Sequence, residues 1–189
     1  MKSGLKLLFG GLLMLVTSSM VFAQALRDVM ITDFANGNNG WTLNKGKEFP
    51  PGAKGMLSML RSADGAGLKI TYDFTDGGNY IAINKGFPAI NIKELKFKIK
   101  TMAKTIAIRF KDSKDQSLQM YLNITPGPEW QEVRLADFDS PGRFPSHWGG
   151  PNDGVLHQPV SMVDIVFGKD NCPLKGEICI GNISAVAAP

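Results

Sequence analysis

The fold class can be predicted from the run LKFKIKTMAKTIAIRFKDSKDQSLQMYLN, residues 95–123. In residues 95–100, leucine, phenylalanine and isoleucine alternate with three lysines, and residues 106–111 and 118–123 repeat the same period of two. Successive side chains of a strand point to opposite faces, so each run predicts a strand with one apolar and one solvated face. The composition of residues 111–115, KDSKD, predicts the turn between the last two strands.

The same pattern extends along the rest of the chain. Residues 68–74 alternate in the same way, and glycine, proline, asparagine and aspartate separate the apolar runs. We also predict strands at residues 29–34, 41–44, 56–61, 80–84, 130–135, 162–167 and 178–186. Many short, half-buried strands predict an all-β fold, an antiparallel β-sandwich or jelly roll.

The N-terminus is organised as a secretory signal peptide. Lys2 and Lys6 precede an apolar run, and small residues lead to possible cleavage points after Ala23 or Ala25. The run of about ten residues is too short to cross roughly 30 Å of hydrocarbon as a helix. We therefore expect residues 1–25 to be removed, the mature chain not to insert into a membrane, and residues 26–189 to form one secreted or periplasmic domain.

The charge of the chain gives little support to a polyanionic partner. The 21 basic and 17 acidic residues give a net charge of +4, and Lys2 and Lys6 account for two of the positive charges. The chain has no basic run with interleaved aromatic residues, the pattern that binding of single-stranded nucleic acid requires. We therefore expect no nucleic-acid partner.

Two cysteines, Cys172 and Cys179, lie in the segment CPLKGEIC. An exported chain meets an oxidising compartment, so we predict a disulfide that closes this short loop. A metal or redox pair is the alternative, but the spacing is not CxxC and no histidine is close in sequence.

Residues 137–160 interrupt the strand rhythm. They contain four prolines and four glycines, but also Phe144, Trp148 and two histidines, a poor composition for disorder. We predict an ordered loop packed across one face or edge of the sandwich. The string HWGGPNDGVLH, residues 147–157, matches no strong metal motif. It is either a self-packed loop or a loop whose Trp148 and His157 line a ligand groove.

The solvated side of the central hairpin has the residue types that bind carbohydrate. Sugar rings need flat aromatic faces together with planar polar groups for paired hydroxyls, set in mostly apolar pockets. In this hypothesis Tyr121 and Trp148 stack on the sugar, and the polar contacts come from Arg109, Gln119, Asp153 and His157. An ordinary solvated face with cross-strand polar pairs is the alternative.

Lysines 96, 98 and 100 have two interpretations. They could bind acidic sugars, or they could protect a solvated edge strand from further pairing. Trp41 and Trp130 each begin a predicted strand, and we expect both to pack on the core.

Two further functions stay open at this point. The acidic residues are scattered singly in turns, which does not favour the carboxylate pair of a glycosidase. The enzymatic alternative is a small jelly-roll polysaccharide lyase that would use Arg109, Gln119, Tyr121 and His157. The other alternative is a structural or protein-interaction sandwich without a sugar ligand.

Three stretches carry a resemblance to a known family: EFPPGAKG (residues 48–55), YDFTDGGNY (residues 72–80) and HWGGPNDG (residues 147–154). Their order resembles galactose-binding-like jelly-roll domains attached to bacterial glycoside hydrolases, similar in style to family 11 carbohydrate-binding modules. The resemblance implies a non-catalytic, monomeric module that binds a polysaccharide or oligosaccharide. It also implies a structural calcium between the first strand, near Asp33, and the last strand, where this chain has Gly181-Asn182 instead of the usual aspartate.

Overall fold

A computed structural model describes residues 25–47, 49–62 and 65–189. The predicted signal peptide, except for Ala25, lies outside the described residues. In the described parts no helix is long and apolar enough to cross a membrane. The described elements are β1 (Arg27–Thr32), β2 (Thr42–Asn44), β3 (Lys54–Ser62), β4 (Gly65–Asp73), β5 (Tyr80–Thr101), β6 (Thr105–Lys111), β7 (Ser117–Asn123), β8 (Gly127–Leu135), β9 (Ser146–Trp148), β10 (Val160–Gly168), a 3-10 turn (Lys169–Asn171) and β11 (Lys175–Ala188).

The strands form two antiparallel layers that share one long strand. The first sheet has the order β3-β4-β11-β5-β8, with β1 beside β11, and the second has the order β2-β5-β10-β6-β7-β9. Residues 80–90 of β5 pair in the second sheet, and residues 91–101 pair in the first. This architecture confirms the predicted all-β antiparallel sandwich.

The apolar faces of both sheets meet in one core. Leu95, Phe97 and Ile99 of β5 are at most 1% exposed, as their alternation with lysine predicts. Trp41, also at 1% exposure, packs in the same core and confirms its predicted role. Burial of an aliphatic or phenylalanine side chain contributes about 1.5–3 kcal/mol, so this alternation is the main source of the sandwich's stability.

Strand β5 corrects two expectations. Its lysines do not mark an edge strand, because β11 pairs with one side of residues 91–101 and β8 with the other. The strand is also continuous, whereas the sequence predicted separate strands in this region. Residues 87–89 bulge out of the ladder with β10, which admits Pro88, a residue with no backbone N–H to donate.

The loop of residues 137–160 is ordered, as predicted, and it packs on the core. The ring centroids of Phe138 and Phe144 lie 5.2 Å and 6.4 Å from that of Phe110 in edge-on contacts. The loop also contains β9, which pairs with β7 and which the sequence did not predict. A strand of three residues is too short to show a hydrophobic period.

A buried carboxylate, Asp112, links this loop to the turn between β6 and β7, and we call its set of hydrogen bonds the clasp. Oδ1 of Asp112 accepts the backbone N–H groups of Lys114 and Gln116, both at 2.9 Å. Its Oδ2 accepts the N–H of His157 at 3.1 Å and lies 3.0 Å from Nδ1 of the same residue. Burial alone would raise the pKa of Asp112, but these donors together hold it below its usual value.

Two neighbouring residues complete the clasp. Nε2 of Gln116, a fully buried side chain, donates to the carbonyl of Val155 at 2.9 Å. Gly150 has a φ of +48°, and a Cβ atom there would lie 2.3 Å from the Lys114 carbonyl oxygen. Only glycine permits this approach, so the loop is fixed on the hairpin turn and holds β9 beside β7.

The predicted disulfide is wrong, because both cysteines are free. Sγ of Cys172 donates to the carbonyl of Gly168, and the side chain packs against the core. Cys179 lies on the outer face of the first sheet, in register with Lys69 and Lys100. The sheet itself separates the two thiols, a separation that sequence spacing does not reveal.

We expect the protein purified without reductant to carry two alkylatable thiols after unfolding, as counted by mass spectrometry. Burial raises the pKa of both thiols, which lowers their thiolate fraction and slows exchange. Added reductant should leave the melting temperature unchanged. A mass lower by two hydrogens, with no free thiol after unfolding, would contradict the free-cysteine structure.

We expect Asp112→Asn to lower the free energy of unfolding by about 3 kcal/mol at neutral pH, because an amide offers one acceptor oxygen to donors that now share two. The pKa of Asp112 is depressed in the folded state, so its contribution is present above the unfolded pKa and is lost as pH falls through the folded pKa. Urea unfolding from neutral to acidic pH should therefore show a flatter pH dependence for the variant. The control is Asp115→Asn, a surface carboxylate of the same turn, and equal stability of the two variants would disprove the clasp.

Candidate functional site

A row of polar side chains crosses the whole outer face of the second sheet. The strand registers place one residue from each of six adjacent strands in line, from β2 through β5, β10, β6 and β7 to β9. We call this set the polar row; its members are Thr42, Asn84, Asp164, Arg109, Gln119 and Ser146. Because the row depends on register between strands far apart in sequence, it becomes visible only in the folded chain.

Arg109 lies at the centre of the row and joins its neighbours. Its Nη1 donates to Oδ2 of Asp164 at 3.3 Å. Its Nη2 and Nε donate to Oε1 of Gln119 at 2.9 Å and 3.2 Å. The guanidinium is therefore fixed from both sides, and Arg109 presents its remaining surface in a defined direction.

Gln119 extends the network to the edge of the sheet. Its Nε2 donates to the hydroxyl of Tyr121 at 2.6 Å, and this hydroxyl lies 3.4 Å from Oγ of Ser146. At the opposite edge the Thr42 hydroxyl donates to Oδ1 of Asn84. The row is thus a set of oriented donors and acceptors rather than independent solvated side chains.

Aromatic rings flank the row. Tyr121 is 53% exposed and Trp148 is 44% exposed, large fractions for apolar rings. Cζ of Arg109 lies 4.9 Å from the ring centroid of Trp148 and 5.8 Å from that of Tyr80. Both distances are in the range of cation–π attraction, so Arg109 also steadies the rings beside it.

Small side chains form the floor next to the row. Ala82, Ala107 and Val166 lie side by side in register on three neighbouring strands, and all three are buried. Ala107 and Val166 line a cleft of about 190 Å³ that also contacts Tyr80 and Tyr121. An apolar floor with a few convergent polar groups is the usual composition of a ligand pocket.

Asp164 is the most buried charge of the row, at 6% exposure. Burial raises its pKa more than the Arg109 guanidinium lowers it. Its Oδ1 is buried and has no hydrogen-bond partner among the described residues. This carboxylate therefore acts as the fixed counter-ion of Arg109, at a cost in stability at neutral pH.

The structure brings together four of the six residues that the sequence predicted to bind ligand: Arg109, Gln119, Tyr121 and Trp148. The other two belong to the clasp at the hairpin turn. His157 contacts Asp112, and Oδ1 of Asp153 accepts a hydrogen bond from Gln116 at 3.1 Å. Nε2 of His157 also lies 3.4 Å from Oδ2 of Asp153. These contacts account for the positions of both side chains without a ligand, and ligand binding by any of the six stays a prediction.

Sequence reasoning missed Asp164, Asn84 and Tyr80. A signal for Asp164 was present, since it is a single acid inside the apolar run VSMVDIVFG of β10. An acid in such a run must find a partner on the outer face, but the partner's identity requires the register with Arg109. Asn84 and Tyr80 carry no comparable local signal.

The residues around Asp33 do not fit the calcium ion that the resemblance implies. Oδ1 of Asp33 accepts the backbone N–H of Ala35, and the neighbouring cleft also contains the Lys98 side chain. Calcium takes six to eight oxygen ligands, and an ammonium group opposes a second cation. In the described residues no group of three or more His, Cys, Asp or Glu could hold a metal.

Comparison with known proteins places the fold. No family model and no curated protein matches the chain. A family 11 carbohydrate-binding module from Clostridium thermocellum, in complex with a β-1,3-1,4-mixed-linked tetrasaccharide, is 19% identical over 87% of this chain and 98% of that chain, with a TM-score of 0.65. The family 11 module of a cellulosomal cellulase from the same organism is 18% identical over 87% and 96%, with a TM-score of 0.64.

A second group of similar structures comes from another family of modules. A family 29 carbohydrate-binding module complexed with mannohexaose is 14% identical over 86% of this chain and 92% of that chain, with a TM-score of 0.52. The similarities confirm, at the level of fold, the resemblance read from the sequence. The chain has the β-sandwich jelly roll of carbohydrate-binding modules.

Proposed function

We propose that this chain is an exported, non-catalytic carbohydrate-binding module that holds a glycan chain across the polar row. The observation that carries the proposal is the combination of oriented polar groups, exposed Tyr121 and Trp148 rings and a small-residue floor on one face. A pyranose ring has apolar faces that stack on aromatic rings and hydroxyl groups that both donate and accept hydrogen bonds. The fold that this chain shares with the family 11 and family 29 modules supports the same reading.

The charges of the face favour an uncharged glycan. Arg109 is neutralised by Asp164, and Lys111, at the end of β6, pairs with Asp115. A uronic acid would have to compete with Asp164 for the same guanidinium. Neutral hydroxyl groups instead fit the remaining donor and acceptor positions along the row.

The arrangement does not favour hydrolysis or elimination. A glycosidase uses two carboxyl groups on either side of the scissile bond, whereas Asp164 is the carboxylate of the polar row and is ion-paired. The lyase alternative assigned a role to His157, but His157 is held by Asp112 in the clasp. We therefore assign the face to binding alone.

We expect Tyr121→Ala and Trp148→Ala to weaken binding about 5- to 150-fold, which corresponds to the roughly 1–3 kcal/mol lost when one aromatic platform for a stacked nucleobase is removed. The measurement is isothermal titration with mannohexaose, cellulohexaose and the β-1,3-1,4-mixed-linked tetrasaccharide. Met56→Ala removes an exposed apolar side chain from the other sheet and serves as the control.

Each outcome of this titration is informative. If the wild type binds and both aromatic variants bind equally tightly, the polar row is not the binding site. Absence of binding to all three oligosaccharides, and to immobilised polysaccharides, would support the protein-interaction alternative. Release of an unsaturated product during the titration would instead identify a lyase.

We expect Asp164→Ala to lower the free energy of unfolding by about 3 kcal/mol, because it leaves the partly buried Arg109 without its counter-ion. Replacing both partners, Arg109→Met with Asp164→Leu, should cost less than the single change, since no uncompensated charge remains. Chemical unfolding of the two variants and the wild type measures the difference. A double variant less stable than Asp164→Ala would show that the pair contributes net stability rather than orientation.

A further inference from the structure

The first sheet contains a notch on its outer face where β11 changes neighbours. Residues 175–180 of β11 pair with β4, and residues 183–187 pair with β1. Gly181 and Asn182 lie between these two ladders, and on the other side both face a single residue of β5, Lys98. Two residues opposite one make a β-bulge, a feature over-represented next to functional sites because it redirects side chains.

The notch opens into a cleft of about 480 Å³. Its floor includes Ala66 and Gly181. A Cβ atom on Gly181 would lie 3.1 Å from Cβ of Lys98 and 3.7 Å from Cζ3 of Trp130. The glycine therefore keeps open the space beside the tryptophan ring, and any larger residue would narrow it.

Trp130 forms one wall of this cleft, which corrects the expectation that it packs on the core. Val133 and Leu135 of β8 point inward, so the alternation of the strand turns Trp130 outward. The ring remains partly exposed. Nζ of Lys100 lies 5.4 Å from the ring centroid but does not line the cleft. Trp130 therefore presents a partly exposed aromatic ring to the cleft.

The polar groups around the cleft differ from the others on the same sheet. Lys69, Lys96 and Arg134 each form ion pairs on this face. Lys98, Glu129 and Asn182 line the cleft, and none of these three side chains has a hydrogen bond or ion pair with a described residue. The cleft therefore has an ammonium donor, a carboxylate acceptor and an amide beside an aromatic wall, all available to bind a ligand.

We propose that this cleft is a second oligosaccharide-binding site, with Trp130 as the stacking surface and Lys98, Glu129 and Asn182 as hydroxyl-binding groups. An aromatic wall joined to unpaired donors and acceptors suits a pyranose ring, whose hydroxyl groups play both roles. Asp33 also lines the cleft, so the Lys98 ammonium stands against two carboxylates, and the charges suit hydroxyl groups better than an anion. The site lies on the opposite sheet from the polar row and does not depend on binding there.

The three tryptophans allow both sites to be observed at once. Trp148 lies beside the polar row, Trp130 lines the cleft, and Trp41, at 1% exposure, is an internal control. The experiment is a ¹⁵N-NMR titration of the indole N–H signals, assigned with single Trp→Phe variants. The ligands are cellulohexaose, mannohexaose and the β-1,3-1,4-mixed-linked tetrasaccharide, each to about 10 mM, which reaches millimolar dissociation constants.

We expect the Trp130 signal to shift in a saturable manner with at least one of these oligosaccharides, while the Trp41 signal stays fixed. The double variant Lys98→Ala with Asn182→Ala, both exposed positions, should weaken the Trp130 response about 2- to 12-fold, the scale of one net hydrogen bond. It should leave the Trp148 response unchanged. Lys93→Ala changes another exposed lysine of β5 and is the matched control.

Two results would overturn the proposal: a Trp130 signal that moves with none of the three oligosaccharides, or one that moves with calcium chloride alone. A Trp130 response that the double variant retains in full would also exclude the assigned residues. The two proposals are tested independently in the Tyr121→Ala variant. The Trp148 response of this variant tests the polar row, and its Trp130 response tests the cleft.

Discussion

Strand β5 belongs to both sheets, and its pairing on each side determines where the neighbouring strands lie. One continuous strand pairs with β2 and β10 in the second sheet and with β11 and β8 in the first. Its side chains alternate, so Ile83 and Phe97 enter the shared core while Asn84 and Lys98 reach the two outer faces. Both candidate sites therefore include a residue of the strand that also positions the core, while Ser146 and Trp148 come from the 137–160 loop that the clasp fixes on the hairpin turn.

This arrangement explains which parts of the structure could be predicted. The two-residue period of residues 95–100 and 106–111 indicated strands and their inner faces, because burial of one face requires an apolar residue at every second position. The same period placed Arg109, Gln119 and Tyr121 on one outer face. Neither the length of β5 nor its central position could be predicted, since Pro88 imitates a strand end unless the bulge around it is known.

The residues that sequence reasoning misplaced are those whose positions depend on long-range pairing. Asp164 meets Arg109 across 55 residues of sequence, and Asp112 meets His157 across 45. Trp130 was expected in the core as the first residue of a predicted strand, but the inward position of Val133 in β8 places Trp130 on the outer face. The two cysteines are close in sequence yet separated by a sheet, which proximity along the chain cannot show.

Both candidate sites place small residues beside aromatic rings and polar side chains, but the polar side chains are held in place to different extents. On the second sheet, Ala107 and Val166 make room beside aromatic rings, and Asp164 and Gln119 fix the polar partner before any ligand arrives. On the first sheet, Gly181 makes the room, but the Lys98, Glu129 and Asn182 side chains have no hydrogen-bond or ion-pair partner among the described residues and would lose side-chain freedom on binding a ligand. Prior orientation lowers the entropic cost of association, so the polar row should bind more tightly than the cleft for equal contact. A glycan surface long enough to reach both sheets would still gain from the weaker cleft, because the second contact is then made at the effective concentration set by the first.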